Sequence, residues 1–207
     1  MKNIFIPFLL VLGVTSLSNA QGKGDVEFGL NLGLNSSSMN VSNSYAQPKP
    51  GNGYNVGFAA DYYFSNSWSI KGKLIYDQKG WNNGFFEYEP GKSYITNYDL
   101  NYLTLPIMAN WHFGPKKEWY LNFGPYAGFL INAVETNGGV DVKEVFKTND
   151  FGLALGVGLK LPLSDKLKIY FEYDGQSGIL NAFKESDGVE IRNSRSSFNV
   201  GLNFLMK

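Results

Sequence analysis

From Val26 onward, large apolar residues occupy every second position in eight separate segments. A side-chain period of two belongs to a strand, whose successive residues point to opposite faces, and not to a helix. The segments are 26–35, 53–64, 68–77, 102–113, 119–131, 151–161, 167–174 and 195–206. In the first, Val26, Phe28, Leu30, Leu32 and Leu34 alternate with Glu27, Gly29, Asn31, Gly33 and Asn35. In the sixth, Phe151, Leu153, Leu155, Val157, Leu159 and Leu161 alternate with Gly152, Ala154, Gly156, Gly158 and Lys160. The pattern restricts the chain to sheets in which one face is kept from water.

The connections alternate as well. Short turns follow the second, fourth and sixth segments, at 65–67, 114–118 and 163–166. Longer stretches of roughly 15 to 20 residues, at about 36–52, 78–99, 132–149 and 175–193, follow the others. Structureless loops of that size are uncommon in a soluble domain. In an up-and-down sheet all four emerge from one end.

Alternation alone permits a soluble barrel or sandwich with its apolar face inward, or a barrel in lipid with that face outward. Volume favours lipid: an eight-stranded interior is only just wide enough for ordinary side chains and cannot hold this many Phe, Tyr, Trp and Leu. Aromatic placement agrees. Tyr62, Phe64, Trp68, Trp111, Phe113 and Trp119 fall at the short-turn end, and Tyr54, Tyr76, Phe129, Phe151, Tyr173 and Phe198 at the other. From Tyr54 to Phe64 a strand runs about 33 Å, or about 25 Å of height when tilted, which matches the apolar band of an outer-membrane barrel.

Charge completes the argument. The polar faces carry Glu27, Asp61, Asp77, Glu172 and Asp174 against Lys71, Lys73, Lys160, Lys168 and Arg195. Isolated charges in a narrow lumen are costly, so a balanced set is expected to pair there. The expected network comprises Glu27, Asp61, Lys71, Lys73, Lys160, Lys168, Glu172 and Asp174.

The first twenty residues read differently. Lys2 precedes an apolar run from Ile4 to Val14, and Ser18-Asn19-Ala20 offers a small-x-small cleavage site, so residues 1–20 are expected to be a signal peptide and 21–207 the barrel domain. That apolar run is too short for a membrane helix. The absence of Cys excludes a disulfide framework and a lipid-anchor cysteine, and equal totals of 18 basic and 18 acidic residues suggest no nucleic-acid partner.

The stretches "KLIYDQKGW" (73–81), "LNYLTLPIMANWHF" (100–113), "WYLNFGPYAGFLI" (119–131) and "DFGLALGVGLKLPLSDKLKIYFEYDGQSGILN" (150–181) resemble the small outer-membrane β-barrel domain family of Bacteroidota, labelled porin-family or PorT-like. The resemblance covers nearly all of the mature chain. It implies an all-β, eight-stranded antiparallel up-and-down transmembrane barrel in the cell outer membrane, and says little about activity. Some relatives are secretion-system accessories, and others are treated as adhesins. Two departures stand out. Phe204 is followed by Leu205-Met206-Lys207 where many such barrels end on an aromatic residue. Pro106 and Pro125 lie inside strands, where bulges are expected.

Chemistry is sparse. The single His, His112, lies on an inward face at the short-turn end, opposite the leaflet where a lipid-modifying enzyme meets its substrate. No catalytic residue, cofactor site or metal-ligand spacing is assigned. Channel activity competes with Lys, Tyr, Glu and Asn filling the lumen. The strongest binding candidates are therefore Trp81, Phe85, Phe86 and Tyr88 of "GWNNGFFEYEPGKSYITN" (80–97), aromatics expected to stand exposed beyond the membrane. The expected role is structural or surface binding by a monomer, with outer-membrane lipids, lipopolysaccharide, or a surface or secretion-machinery protein as partners. A narrow porin-like channel or secretion accessory is the alternative, ahead of a lipid A-modifying enzyme or a soluble lipocalin-like barrel.

Overall fold

The computed structural model describes residues 22–42, 48–89, 91–185 and 188–206, without the side chains of 85–89. The expected signal peptide, residues 1–20, lies outside the described residues. Eight long strands form one antiparallel sheet: β1 Val26–Val41, β2 Lys49–Tyr63, β3 Trp68–Glu89, β4 Lys92–Phe113, β5 Trp119–Glu135, β7 Asn149–Pro162, β8 Leu167–Gly178 and β9 Ile191–Met206. A two-residue β6, Val140–Asp141, pairs with the end of β5. Pairing of β1 with β9 and of β4 with β5 closes the sheet on itself.

The register fixes the geometry of closure. Stepping from each residue to its partner leads from Leu103 through Tyr76, Val56, Leu32, Val200, Phe171, Leu159 and Trp119 to Phe113. One circuit thus returns to β4 ten residues from its start (113 − 103). Eight strands with that stagger tilt by about 40° around a backbone cylinder of about 8 Å radius, given strands about 4.8 Å apart and about 3.3 Å per residue. Such an interior has room for side chains and little else.

Burial is inverted relative to a water-soluble protein. Leu32 and Leu34 on β1 are 66% and 73% exposed, while the flanking Asn31 and Asn35, on the other face, are buried. The same holds on β7, where Leu153 and Leu155 are exposed and Ala154 and Lys160 buried. A surface of Leu, Val, Ile and Phe around a polar interior is stable only when the surroundings are apolar. The aromatics mark the edges of that surface. Trp68, Trp111 and Phe113 stack at one end, and Tyr54 lies 6.1 Å from Tyr76 at the other.

Lumen glycines make room for neighbouring side chains. A Cβ on Gly158 would stand 2.3 Å from the Tyr120 ring, one on Gly201 2.5 Å from Tyr170, and one on Gly156 2.6 Å from the Asn122 amide. Each large inward group thus lies over the bare backbone of the adjacent strand.

Three expectations need correction. The long connections are not structureless: β3 and β4 continue as a hairpin to Glu89 and Lys92, and β1, β5, β8 and β9 also outrun their apolar patterns. Outside lipid no apolar surroundings demand a greasy outer face, so the period-two signal fades while pairing continues. The expected bulges at Pro106 and Pro125 are absent. Gly72 opposes Ile107 and Ile75 opposes Thr104 in one register, and Pro125 directly opposes Leu153. Close approach replaces a bulge, since a Cβ on Gly124 would lie 2.2 Å from the Ile107 carbonyl oxygen. The register shifts lie higher, between Pro50 and Asn55, at Asn101/Tyr102, between Glu87 and Glu89, and between Trp81 and Gly84, where Asn83 has φ 58°. Third, Trp81 does not stand exposed; it is buried in an apolar cluster with Tyr98 and Phe146.

Candidate functional site

Alternation along six different strands aims one set of charged side chains at a common axis. At the short-turn end, Lys160 of β7 places its Nζ 2.6 Å from Glu27 and 3.1 Å from Asp61. Lys168 holds the other Glu27 oxygen at 2.8 Å. The Tyr63 hydroxyl donates to Glu27 and accepts from Lys160, while Asn110 and Asn203 donate to Asp61 and Glu27. The Tyr120 ring lies between this cluster and the next, with Lys160 Nζ 5.3 Å and Lys71 Nζ 4.5 Å from its centroid.

Glu172 is the centre of the middle layer. Fully buried, it receives Lys71 at 3.1 Å, Lys73, and the Asn122 amide at 2.8 Å. Asp174 continues the chain, 3.7 Å from Lys73 and 2.7 Å from Arg195, whose Nε lies 3.3 Å from Asp77. Asparagines fill the remaining space: Asn31 donates to Asn55 and Asn199, and Asn35 to Asp77. Higher still, Lys79 pairs with Asp150 at 3.2 Å, and Tyr126 donates to the same carboxylate.

All eight residues expected to form the lumen network are buried and joined to it. The Lys79–Asp150 pair was missed because the apolar pattern stops at 77 and resumes at 151. The spacing Lys71, Lys73, Asp77, Lys79 carried the signal, an inward polar face outlasting its greasy outer one.

Above the ions the mouth is closed by apolar groups. Trp81, 4% exposed, stacks on Tyr98 at 4.6 Å and meets Phe146 edge-on at 5.8 Å. Leu100, Leu130, Val142 and Ala182 pack into the same cluster. Two loop segments reach this lid and are tied together by the Phe146–Phe183 bridge and the hydrogen bonds Lys147 N to Ala182 O and Lys184 N to Val145 O. Outside it, Lys184 hydrogen-bonds Glu144 at 2.9 Å and holds that exposed carboxyl below its usual range. Trp81 is therefore part of the lid and not an exposed anchor: the backbone irregularity at Gly80 and Asn83 turns it over the lumen, where its ring escapes water. Phe85, Phe86 and Tyr88 lie on the backbone of the β3 ribbon, and their side chains lie outside the described residues.

His112 is fully buried at the short-turn end, its Nε2 2.9 Å from Ser69 Oγ and its ring 4.8 Å from that of Tyr63. The interior as a whole consists of mutually neutralising groups.

The match to a family model follows this architecture. Residues 19–184 fit the model described as "Outer membrane protein beta-barrel domain". The chain belongs to that family. Members of it lie in the cell outer membrane, as this one does. No curated protein matches the sequence. Among solved structures, the barrel is similar to the outer membrane protein OprG of Pseudomonas aeruginosa, with a TM-score of 0.57 at 10% identity over 90% of this chain and 98% of OprG. It is likewise similar to outer membrane protein AlkL, determined in lipid bilayers, with a TM-score of 0.55 at 10% identity over 93% of this chain and 94% of AlkL. At such identities the likeness is one of fold.

Proposed function

We propose that this outer-membrane barrel neither conducts nor catalyses, and that it works as a rigid mount holding its outer ribbon and loops at the cell surface to bind a protein partner. The observation carrying this reading is the contrast between the two parts of the molecule. Ion pairs fill the lumen from Glu27 to Asp150 and an apolar lid covers them, whereas β3 and β4 remain paired beyond the lid through Gly84–Thr96, Phe85–Ile95 and Phe86–Tyr94. A ribbon rooted in a closed barrel is pre-organised, which lowers the ordering cost of binding. In the same reading residues 1–20 are a cleaved export signal, the barrel is a monomer, and the partner is a surface or secretion-machinery protein, as the PorT-like resemblance of 73–81 and 100–113 suggests.

Crosslinking on intact cells tests the proposal. Wild-type protein should capture a discrete partner, and Phe85→Ser/Phe86→Ser should lose it while keeping heat-modifiable gel mobility. An unchanged crosslinking pattern in that variant would remove the ribbon from the binding role.

A further inference from the structure

The outer ribbon outruns its neighbours on both sides. Among the described residues, pairing with β2 ends at Lys49–Asn82 and pairing with β5 at Tyr98–Glu135, whereas β3 and β4 go on pairing with each other from Gly84–Thr96 to Glu89–Lys92. The irregular step between Trp81 and Gly84, with Asn83 at φ 58°, lies at the root of this ribbon. A two-stranded hairpin is marginal by itself, so one rooted at such a step swings unless its side is held.

The turn after β5 supplies the hold. Glu135 is fully buried, and both oxygens of its carboxylate are occupied. Its Oε1 accepts from the Thr96 hydroxyl and from Asn137 N at 2.7 Å, and its Oε2 accepts from Gly138 N at 2.8 Å. The Tyr94 hydroxyl hydrogen-bonds the same carboxylate. Thr96 and Tyr94 belong to the ribbon and Asn137 and Gly138 to the turn, so one side chain joins the two. Alongside it, Thr136 N donates to Asn97 O at 3.0 Å and the Asn137 amide to Ile95 O at 3.2 Å. Behind the turn, β6 pairs Val140 with Glu135 and Asp141 with Val134, which ties the joint back to the wall.

The chemistry requires an acid at this position. Donors meet both oxygens, and a carboxylate accepts at both, whereas a glutamine of the same shape accepts at one and turns its own NH2 group toward a donor. A buried donor left without an acceptor is strongly unfavourable. We infer that Glu135 is a positioning residue for the ribbon: its carboxylate sets the ribbon's angle to the barrel and so presents the ribbon to its partner. The link to a partner rests on the binding role proposed above; the joint itself does not.

The chain has no Cys, so two spin labels can be placed at introduced cysteines, Ser93→Cys on the ribbon and Thr148→Cys beside β7, and their separation measured by double electron–electron resonance in bilayers. With Glu135 in place the distance distribution should be single and narrow. Glu135→Gln should broaden it at least twofold while heat-modifiable mobility is kept, whereas Asp141→Asn, at an exposed acid of the same turn, should leave it narrow. Thr96→Val removes a donor from the ribbon side and should broaden it too, which decides the matter should the Gln variant not insert. On intact cells, crosslinking to the partner should fall about tenfold in Glu135→Gln. A broad distribution with Glu135 present, or an unchanged one in inserted Glu135→Gln protein, would overturn the joint. A swinging ribbon that captures its partner as well as wild type would overturn the link to binding, and a narrow wild-type ribbon that captures nothing would uphold the joint and refute the binding role.

Discussion

The environment of a single residue separates the two faces of every strand, and substitutions should report it with opposite signs from those of a soluble protein. Leu32→Arg puts a charge into lipid and should destabilise the barrel by about 2–4 kcal/mol near mid-membrane, measured as the urea midpoint of folding into vesicles. On a soluble barrel, a charge at a two-thirds exposed position would be nearly neutral. Glu172 gives the complementary case. Glu172→Gln leaves Lys71 and Lys73 without their shared carboxylate and should cost about 3–5 kcal/mol. Adding Lys73→Met should recover part of that loss, and an additive double variant would mean that the two do not act as a pair. Much of this was legible in the sequence, since period two and a balanced charge set name the inward residues. Trp81 was not: its sequence context is that of an exposed loop aromatic, and only the Phe146 and Phe183 segments packing over it show otherwise.

At the scale of elements, strand existence and direction followed from the outward apolar stripe, and strand ends did not. The stripe reports contact with lipid, so it stops where lipid stops, whereas hydrogen bonding carries β3 on to Glu89. The prolines misled for a related reason. Pro106 and Pro125 lose a donor, but Gly124 lets β4 and β5 approach closely enough for the register to survive. Glycine pairing across strands yields a testable claim. Gly158→Val should collide with the Tyr120 ring and slow or block folding, and Tyr120→Leu should restore it. Failure of the second substitution to rescue would place the defect in the Gly158 backbone. The lid also behaves as an element: Trp81→Ala removes its central ring and should cost about 3–5 kcal/mol, seen as earlier loss of protease resistance in the loops.

For the whole molecule, the stagger of ten residues and the alternating connections set a narrow cylinder with both described chain ends at the short-turn rim, where Val26 pairs with Met206. A cylinder of that radius crossed by Lys160–Glu27, Lys71–Glu172, Arg195–Asp174 and Lys79–Asp150 has its interior occupied by side chains. The claim that function lies outside the barrel therefore depends on the lumen being closed, and closure is open to direct measurement. Protein whose insertion has been verified by heat-modifiable mobility should leave a planar bilayer electrically silent, and Trp81→Ala should do the same because the ion layers beneath the lid remain. Steady, stepwise conductance from the wild-type protein would contradict a sealed lumen and restore the channel as its function.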